Sequence, residues 1–591
     1  FCDIMTGDSR CTILKTMEDL QDEVLKNNIK EVISIEGQKL DISAYITEVQ
    51  ESDNLSKDKT NNLKDKNLKL CADILLDYIE KTQNKDISSL KDFEVYFKDK
   101  FVYMTNYSIR NLEVTQNMAN GSKKGSLLSI VDKTSTAAGS RKLKNWLENP
   151  LLDINEIKKR QEIVGDFVKH YFEKSDVKTS LKEVYDLERI STKVSYNIVS
   201  PKELLNLKKT LKQIPQIKSI LKGFDSEKLV DIANNIDELE DLHDFLEKTI
   251  HEEAGQTVKD GNVIKSGFNE ELDSYKNASK NGNKVLLEIE EREKNRTGIK
   301  NLKVGYNKIF GYFIEISKVG LKSVDPTELG YHRKQTLSNC ERFISEELKQ
   351  VEEHIVNSKT KIEELELQLF QDVKIKIHEY IPRLQRVANT LSDIDVFVSL
   401  SDVAEEYGYV KPDFNDNNVI DIVDGRHPIV ERNVSADSYI SNDCKVEKDE
   451  NILLITGPNM SGKSTYMRQL ALIVILAQIG SFVPASSASL PIFDKIFTRI
   501  GASDDLAGGK STFMVEMIEA KNALVESTAN SLLIFDEIGR GTSTYDGIAL
   551  AQSILEYINN TIKCKTLFST HYHELTKLEN ITEGIKNIHV S

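Results

Sequence analysis

A glycine-rich loop between an apolar run and a helical pattern carries the clearest chemical signal in the sequence. Residues 457–464 read GPNMSGKS, which matches the phosphate-binding pattern G-x-x-x-x-G-K-[ST]. Ile452 to Ile455 predict the strand that precedes such a loop, and the residues after Lys463 predict the helix that follows it. Glycines let backbone N–H groups turn towards phosphate, and the start of a helix adds partial positive charge. The sequence therefore predicts a nucleotide-binding loop.

The predicted nucleotide contacts extend from this loop into the first turn of the helix. Lys463 is placed to reach the β- and γ-phosphates, and Ser464 is placed to ligate Mg²⁺. The full predicted set comprises Gly457, Pro458, Asn459, Met460, Ser461, Gly462, Lys463, Ser464 and Thr465.

An acidic pair at the end of another apolar run supplies the second half of this chemistry. Leu532 to Phe535 predict a buried strand that ends in Asp536 and Glu537. Asp536 is the expected Mg²⁺ ligand, and Glu537 can orient and polarise the attacking water. His571 follows a further strand-like run, TLFST, and from the residues alone it is equally a γ-phosphate sensor or a structural histidine.

The tetrapeptide GKST occurs a second time, at residues 509–512, but without the flanks of a phosphate loop. The position five residues before Gly509 is Asp504 rather than glycine, and the preceding GASDDLAGG is polar rather than strand-like. The residues that follow predict a helix with Ser511 as its N-cap. We therefore predict a capped helix here and not a second nucleotide loop.

Length and composition limit the classes of protein to which the chain can belong. A chain of 591 residues is long enough for about three to five domains. Its net charge of -16 argues against a protein that is basic throughout, but a local basic stripe can still bind DNA. Six cysteines without a CxxC pair suggest neither a zinc site nor a disulfide framework, and the absence of long apolar runs predicts no membrane span.

Patterning divides the chain into regions. Residues 1–105 mix β-like and helical runs, with a polar stretch at 51–67 predicted as an exposed loop. Residues 106–280 are predicted to be mostly helical, residues 281–347 to contain a strand–turn–strand, and residues 401–591 to be α/β. Trp146, the only tryptophan, is predicted to be a packing residue.

A long helix is predicted from near Ser345 to Pro382. Its apolar residues fall on an a/d spacing: Leu348, Val351, Ile355, Ile362, Leu365 and Leu369. About 35 residues at 1.5 Å each give roughly 50 Å. A rod carrying a small β-tip and an ordinary long core helix are both compatible with this pattern.

Several motifs together resemble those of the MutS family of DNA mismatch repair ATPases, over essentially the whole chain. They are VDKTSTAAGSRKLKNWL (131–147), RTGIKNLKVGYNKIFGYFIEIS (296–317), RKQTLSNCERFISEEL (333–348), GRHPIVE (425–431), TGPNMSGKSTYMRQ (456–469), GSFVPA (480–485), IFTRIGASDDL (496–506), KSTFMVEM (510–517), DEIGRGTSTYDG (536–547) and THYHEL (570–575).

The resemblance implies a multidomain fold of α/β and α parts. Residues 1–105 would form an RNase H-like connector, and residues 106–280 and 348–400 the core and lever helices. Residues 281–347 would form a β-rich DNA clamp inserted in the lever, and residues 401–591 an ABC-type P-loop ATPase domain.

The resemblance also implies roles for individual residues. In such ATPases two subunits sandwich each ATP, so Ser511 would reach the γ-phosphate of the partner's nucleotide. Tyr439 would stack on adenine and His571 would act as a switch histidine. Candidate contacts to the DNA backbone in the clamp are Lys303, Lys308, Arg333, Lys334 and Arg342. For any one of these, a solvated charged face is the alternative.

The implied function is ATP-dependent DNA mismatch repair by a homodimer that clamps duplex DNA, with ATP and Mg²⁺ as ligands. The implied partners are a MutL-type repair protein and, in bacteria, a sliding clamp; the implied location is the bacterial cytoplasm, at the nucleoid. The sequence is expected to be partial, because the family's mismatch-reading domain precedes the connector and further helices follow the ATPase. Phe313-Ile-Glu315 has the letters of the mismatch wedge but lies in a clamp strand, so we interpret it as a chance match.

Two alternatives remain at this stage. A relative that clamps branched recombination DNA without reading mismatches would share this fold. A nucleotide-binding subunit of a transporter would share the phosphate loop, but the lever and clamp region and the KSTFMVEM segment argue against it.

Overall fold

A computed structural model describes most of the chain. The described residues are 1–4, 7–14, 16–27, 29–38, 40, 42, 44–50, 58–83, 90, 92–96, 100–307, 309, 311–434, 439–458, 461–500 and 512–590. They form two compact units, which are described separately. The first comprises Phe1–Thr192, Gln213–Glu238 and Arg383–Ser591, and the second comprises Lys193–Lys212 and Leu239–Pro382. Within the described ranges, no helix combines the length and apolar composition needed to cross a bilayer.

The strands, numbered β1 to β19 in chain order, are Cys2–Asp3, Asp8–Cys11, Glu31–Ile35, Tyr45–Val49, Glu94–Val95, Tyr103–Met104, Lys303–Asn307, Gly311–Ser317, His332–Thr336, Cys340–Ile344, Asp413–Phe414, Ile420–Gly425, Asn442–Val446, Ile452–Thr456, Ser487–Leu490, Lys495–Arg499, Leu532–Asp536, Lys565–Ser569 and Ile585–His589. The helices, numbered α1 to α18, are Met17–Lys26, Lys66–Gln83, Asn106–Asn111, Leu127–Val131, Ala137–Glu148, Ile154–Lys169, Tyr171–Lys182, Leu187–Ser195, Pro201–Lys222, Glu227–Asn235, Glu240–Thr249, Glu270–Thr297, Glu346–His378, Ile381–Tyr407, Val430–Asn433, Lys463–Gln478, Thr512–Glu526 and Thr544–Tyr557.

The first hundred residues mix strands and helices, as predicted. A three-stranded sheet has the order β1-β2-β5, and β3 pairs in parallel with β4. The residues of α2 that join the local hydrophobic core recur at three- and four-residue steps: Leu68, Ala72, Leu76 and Ile79. The polar stretch 51–67 was predicted as an exposed loop; residues 51–57 lie outside the described ranges, but Thr60 is buried and α2 begins at Lys66. The buried hydroxyl of Thr60 donates to Asp73 on α2 at 2.7 Å, which satisfies its hydrogen-bonding capacity.

A six-stranded parallel sheet dominates the C-terminal region of the first unit. Its strand order is β19-β14-β18-β17-β16-β6. Every residue of β14 and of β18 is buried, because helices cover both faces of such a sheet and leave no polar side. Residues of α17 and α18 join the same core: Ala520, Ala523, Ala551, Ile554 and Leu555. The carboxyl ends of the parallel strands share one edge, where loop residues converge.

The sixth strand of this sheet comes from an unexpected part of the chain. Tyr103 and Met104 pair in parallel with Lys495 and Ile496 of β16. The end of the predicted connector region, 1–105, therefore contributes a strand to the sheet of the C-terminal region. A second sheet there has the order β11-β15-β12-β13.

The helices of the first unit include one whose start is held by a distant carboxylate. Asp395 of α14 accepts hydrogen bonds from the backbone N–H groups of Ser135 and Thr136, each at 2.8 Å. These residues precede α5, so the carboxylate lies at the positive end of that helix. Gly139 lies so close that an added Cβ would be 2.3 Å from Asp395 Oδ2. Trp146, farther along α5, is buried against Phe397 and Arg160, which confirms a packing role.

The second unit contains a four-stranded antiparallel sheet, which follows the long helix α12 and precedes the long helix α13 in the chain. The strand order is β7-β8-β10-β9. The preceding helix, α12, runs to Thr297, so residues 281–297 of the predicted clamp region are helical and its strands begin only at Lys303. In α12, an added Cβ on Gly282 would lie 2.5 Å from Ile355 Cγ1 of α13, so the two helices approach closely there.

The long helix α13 begins where the sequence predicted. Ser345 caps it by accepting a hydrogen bond from the backbone N–H of Leu348 at 3.2 Å. Its 33 residues correspond to about 50 Å. The predicted end of this helix at Pro382 is wrong, because α13 ends at His378 and the next helix, α14, begins at Ile381. Pro382 lies in the first turn of α14, where a missing N–H leaves no helical hydrogen bond unmade.

Candidate nucleotide site

The predicted phosphate loop joins β14 to α16, with glycine where the backbone requires it. Gly457 has φ +155°, and a Cβ there would lie 2.4 Å from the carbonyl oxygen of Val590. Gly462, immediately before α16, has φ +95°. Glycine is therefore required at position 457, where the backbone passes close to Val590, and favoured at position 462, where φ is positive. Asn459 and Met460 lie outside the described residues.

Lys463 is a buried cation at the mouth of this loop. Its residue surface is only 6% exposed, and its ammonium group donates to the carbonyl oxygens of Gly457 and Pro458, each at 3.0 Å. The same Nζ lies 3.9 Å from Glu537 Oε1. The lysine is therefore held between its own loop and the predicted catalytic carboxylate.

Ser464 and Asp536, the two predicted Mg²⁺ ligands, are in direct contact. Ser464 Oγ donates to Asp536 Oδ2 at 2.5 Å, and Ser569 Oγ donates to the other carboxylate oxygen. A hydroxyl and a carboxylate are the hard oxygen ligands that Mg²⁺ prefers, and the ion commonly completes its shell with phosphate oxygens and water. In the described part of the chain, no group of three or more His, Cys, Asp or Glu side chains forms an all-protein metal site. The donor set therefore fits Mg²⁺ bound together with a nucleotide.

Glu537 lies in a strained turn and at the centre of a charged cluster. Its φ is +57°, a left-handed conformation that is costly for a residue with a side chain and that concentrates at functional sites. Its N–H donates to the carbonyl and hydroxyl oxygens of Ser569, each at 3.1 Å. Its carboxylate contacts His571, with 2.5 Å between Oε1 and Nε2, and accepts a hydrogen bond from Arg540. The structure thus brings Glu537 and His571 together, as two strand-end positions in one sheet allow.

Tyr439 is half-buried, and its hydroxyl is fixed on both sides. It accepts a hydrogen bond from the backbone N–H of His427 at 2.5 Å and donates to Gln469 Oε1 at 3.2 Å. Burial raises the pKa of Tyr439. His427 is itself buried, and desolvation lowers its pKa to about 4, so its ring is neutral near pH 7.

Three contributors to this region were missed at the level of sequence. Ser569 supports Asp536 and Glu537, while His427 and Gln469 hold Tyr439. All three lie in runs noted in the sequence: Ser569 in TLFST, His427 in GRHPIVE and Gln469 at the end of TGPNMSGKSTYMRQ. None of these runs identifies the residue's partner.

Three further residues were predicted to contact nucleotide: Thr465, Ser461 and Ser511. Thr465 lies in the first turn of α16. Ser461 Oγ is buried and, among the described residues, has no hydrogen-bond partner, so it is available to a polar ligand. Ser511 lies outside the described residues; α17 begins at the next residue, Thr512.

The predicted DNA contacts belong to the antiparallel sheet of the second unit. Lys303 and Lys334 are exposed on its two edge strands. Arg333 is exposed but pairs with Glu341 at 2.8 Å. The guanidinium of Arg342 bonds Glu315 at 2.9 Å and Gln335 at 3.0 Å, and it lies 4.2 Å from the ring centre of Phe313. Arg342 is therefore engaged within the sheet, and Lys308 lies outside the described residues.

Comparison with known proteins decides the family. The family model MutS domain III matches residues 107–401, and MutS domain V matches residues 453–591. A DNA mismatch repair protein MutS of Geobacillus sp. (strain WCH70) is 47% identical over 600 residues, covering 100% of this chain and 70% of that protein. The chain belongs to the MutS family.

Other MutS relatives agree with this assignment. The protein of the same name from Staphylococcus haemolyticus (strain JCSC1435) is 46% identical over 601 residues, covering 100% of this chain and 68% of that protein. The one from Staphylococcus saprophyticus subsp. saprophyticus is 45% identical over 597 residues, covering 100% and 67% respectively. The domain V match includes the phosphate loop, Asp536, Glu537 and His571, so the clustered site lies within the family region.

Proposed function

We propose that this MutS-family chain binds and hydrolyses ATP and uses the cycle as a conformational switch in DNA mismatch repair, as a homodimer that clamps duplex DNA. One observation carries the ATPase part: two side-chain contacts, Ser464–Asp536 and Glu537–His571, lie near the carboxyl ends of the adjacent strands β14, β18 and β17. The names of the relatives support mismatch repair over the branched-DNA alternative.

In this proposal the loop and α16 bind the triphosphate. Backbone N–H groups at the start of α16 would face the phosphates, and Lys463 would move from its loop carbonyls to the β- and γ-phosphate oxygens. Ser464 and Asp536 would hold Mg²⁺, which would supply positive charge to neutralise the charge that develops on the phosphates. Tyr439 presents its ring to adenine, with its hydroxyl fixed by His427 and Gln469.

Glu537 is the proposed group that orients water for attack on the γ-phosphate. The two N–H contacts to Ser569 fix its backbone, and His571 fixes its carboxylate. An acceptor held in this way needs little reorganisation when the water binds. His571 can exchange its contact with Glu537 for one with a γ-phosphate oxygen, which would link the nucleotide state to the position of the carboxylate.

The proposed architecture follows the family. In this architecture the connector is RNase H-like and comprises residues 1–105, although its last strand joins the C-terminal sheet. The core and lever helices comprise residues 106–280 and 348–400, and the clamp comprises residues 281–347. The ABC-type ATPase domain comprises residues 401–591. Ser511 would complete the partner subunit's ATP site, and Lys303, Lys308, Arg333, Lys334 and Arg342 are the proposed clamp contacts to DNA phosphates. A MutL-type protein and a sliding clamp are the proposed partners, in the bacterial cytoplasm at the nucleoid.

Single-turnover hydrolysis of radiolabelled Mg-ATP by the chain, with and without duplex DNA, tests this function. We expect phosphate release by the wild type and none by Lys463→Ala, which should also lose ATP in an equilibrium titration. Retention of tight ATP binding by Lys463→Ala, or the absence of hydrolysis by the wild type, would contradict the proposal.

A further inference from the structure

The turn that carries Glu537 is held by a side chain of α17. Gly539, two residues after Glu537, donates its backbone N–H to Glu516 Oε1 at 2.7 Å. Glu516 is buried on α17, and its other carboxylate oxygen lies 3.9 Å from Nη2 of Arg499, at the end of β16. A hydrogen bond that a backbone N–H donates to a buried carboxylate is charge-assisted and among the stronger hydrogen bonds in proteins.

Two further contacts hold the same turn. Tyr572 donates its hydroxyl to the carbonyl oxygen of Gly539 at 3.0 Å, so both polar groups of Gly539 are bonded. Phe513 of α17 packs on the turn so tightly that a Cβ on Gly541 would lie 3.0 Å from Phe513 Cβ. Gly539 itself has φ +92°, which a residue with a side chain rarely adopts. The turn therefore has little room to move independently of α17.

We propose that Glu516 is a positioning residue for hydrolysis: through the Gly539 N–H, it ties the placement of Glu537 to the position of α17. This inference rests on the proposed ATPase function. Because α17 begins immediately after Ser511, the proposed contact to the partner's nucleotide, a displacement of α17 in one subunit would be transmitted to that subunit's own Glu537. The carboxylate transmits this displacement; it does not touch the reacting atoms.

Glu519 supplies a matched control on the same helix. It lies one turn after Glu516 and is also near Arg499, with 3.2 Å between Arg499 Nε and Glu519 Oε2. Gly539 is bonded to Glu516 rather than to Glu519. Removing either carboxylate deprives Arg499 of a charged neighbour, but only loss of Glu516 removes a hydrogen bond from the Glu537 turn. Glu516→Gln keeps an oxygen that can accept from Gly539 while removing the charge.

The test compares Glu516→Ala, Glu516→Gln and Glu519→Ala in the full chain. We expect Glu516→Ala to lower the single-turnover hydrolysis rate by up to about a hundredfold, which is the typical effect of displacing a catalytic group by about 1 Å. The dissociation constant for ADP should stay within about twofold of the wild-type value. Glu516→Gln should recover most of the rate, and Glu519→Ala should resemble the wild type. Hydrogen exchange of a peptide covering residues 537–541 should quicken only in Glu516→Ala.

The possible outcomes distinguish failure of the positioning role of Glu516 from failure of the proposed ATPase function. If the wild type hydrolyses ATP but Glu516→Ala and Glu519→Ala have equal rates, only the role of Glu516 is wrong. The same holds if Glu516→Gln is as slow as Glu516→Ala, or if nucleotide affinity and rate fall together. A wild type that does not hydrolyse ATP contradicts the proposed function and, with it, this role of Glu516.

Discussion

Glu537 and His571 lie in contact at the carboxyl edge of the six-stranded sheet, with 2.5 Å between Oε1 and Nε2. Glu537 follows β17 and His571 follows β18, so the pairing of these two neighbouring strands brings the side chains together. Glu537 adopts a left-handed backbone that its N–H bonds to Ser569 stabilise. A strained acidic residue whose carboxylate contacts a histidine fits the water-orienting role proposed for Glu537.

Glu537→Gln should separate nucleotide binding from hydrolysis. The amide keeps the size of the side chain but is a much weaker proton and hydrogen-bond acceptor for water, so we expect a rate loss of about 10²- to 10⁴-fold in single-turnover assays. ATP affinity should be retained, because the proposed phosphate contacts of Lys463 and the loop do not involve Glu537. An unchanged rate would remove Glu537 from the proposed mechanism. Arg540→Gln, which removes the exposed partner of the same carboxylate, is the control and should have the smaller effect.

The buried His427 should make stability depend on pH. Its pKa in the folded chain is about 4, against an ordinary value of 6.5. Between these values the unfolded chain binds the proton and the folded chain does not, so stability is lost as the pH falls from 6.5 towards 4. We expect a loss of about 2 kcal/mol between pH 7 and pH 5 from this residue.

Denaturant unfolding of the wild type and of His427→Asn at both pH values measures this contribution. The asparagine oxygen can accept the N–H bonds that Nδ1 of His427 accepts from Ile429 and Val430, each at 3.3 Å. Because asparagine does not titrate, the variant should show a smaller loss of stability at pH 5. Identical pH dependence in both proteins would exclude His427 as the source.

The elements of the nucleotide site could be predicted because their signals are local. An apolar run, a glycine loop and a helical pattern are contiguous in β14 and α16, and an apolar run ends in two carboxylates at β17. The proposed roles of Asp536 and Glu537 could therefore be predicted from spacing and residue type. The resemblance to a family added roles for Tyr439 and Ser511, which spacing does not indicate.

The partners of these residues could not be predicted, because they depend on strand order. The sheet places β18 between β14 and β17, and only this non-local pairing brings Ser569 to Asp536. The two-residue strand β6 is too short to produce a periodic pattern, so its membership in the large sheet has no sequence signal. Pro382 was wrongly interpreted as the end of the long helix. A proline that follows a helix and a proline in the first turn of the next helix look the same in the sequence.

Gly139→Ala should destabilise the first unit, although alanine usually favours a helix. The added Cβ would lie 2.3 Å from Asp395 Oδ2, the carboxylate that caps α5, so the cap must shift. We expect a loss of about 1–3 kcal/mol, the usual cost of overpacking. Gly165→Ala is the matched control, since its Cβ would meet only Phe482 Cζ at 3.7 Å, and it should be neutral or stabilising by up to about 1 kcal/mol. Equal denaturation midpoints for the two variants would contradict this account.

The salt dependence of DNA binding should distinguish the lysines of the antiparallel sheet from Arg342. Lys303 and Lys334 are exposed on edge strands, so each can neutralise a DNA phosphate and release a counterion. Removing both in Lys303→Ala/Lys334→Ala should weaken binding to every duplex sequence and reduce the slope of log K against log salt by about two. Arg342→Ala is the control: its guanidinium is bonded to Glu315 and Gln335, so its loss should leave the slope unchanged. A slope that falls in Arg342→Ala but not in the lysine double variant would reverse the assignment and place the DNA on the face that Arg342 shares with Phe313.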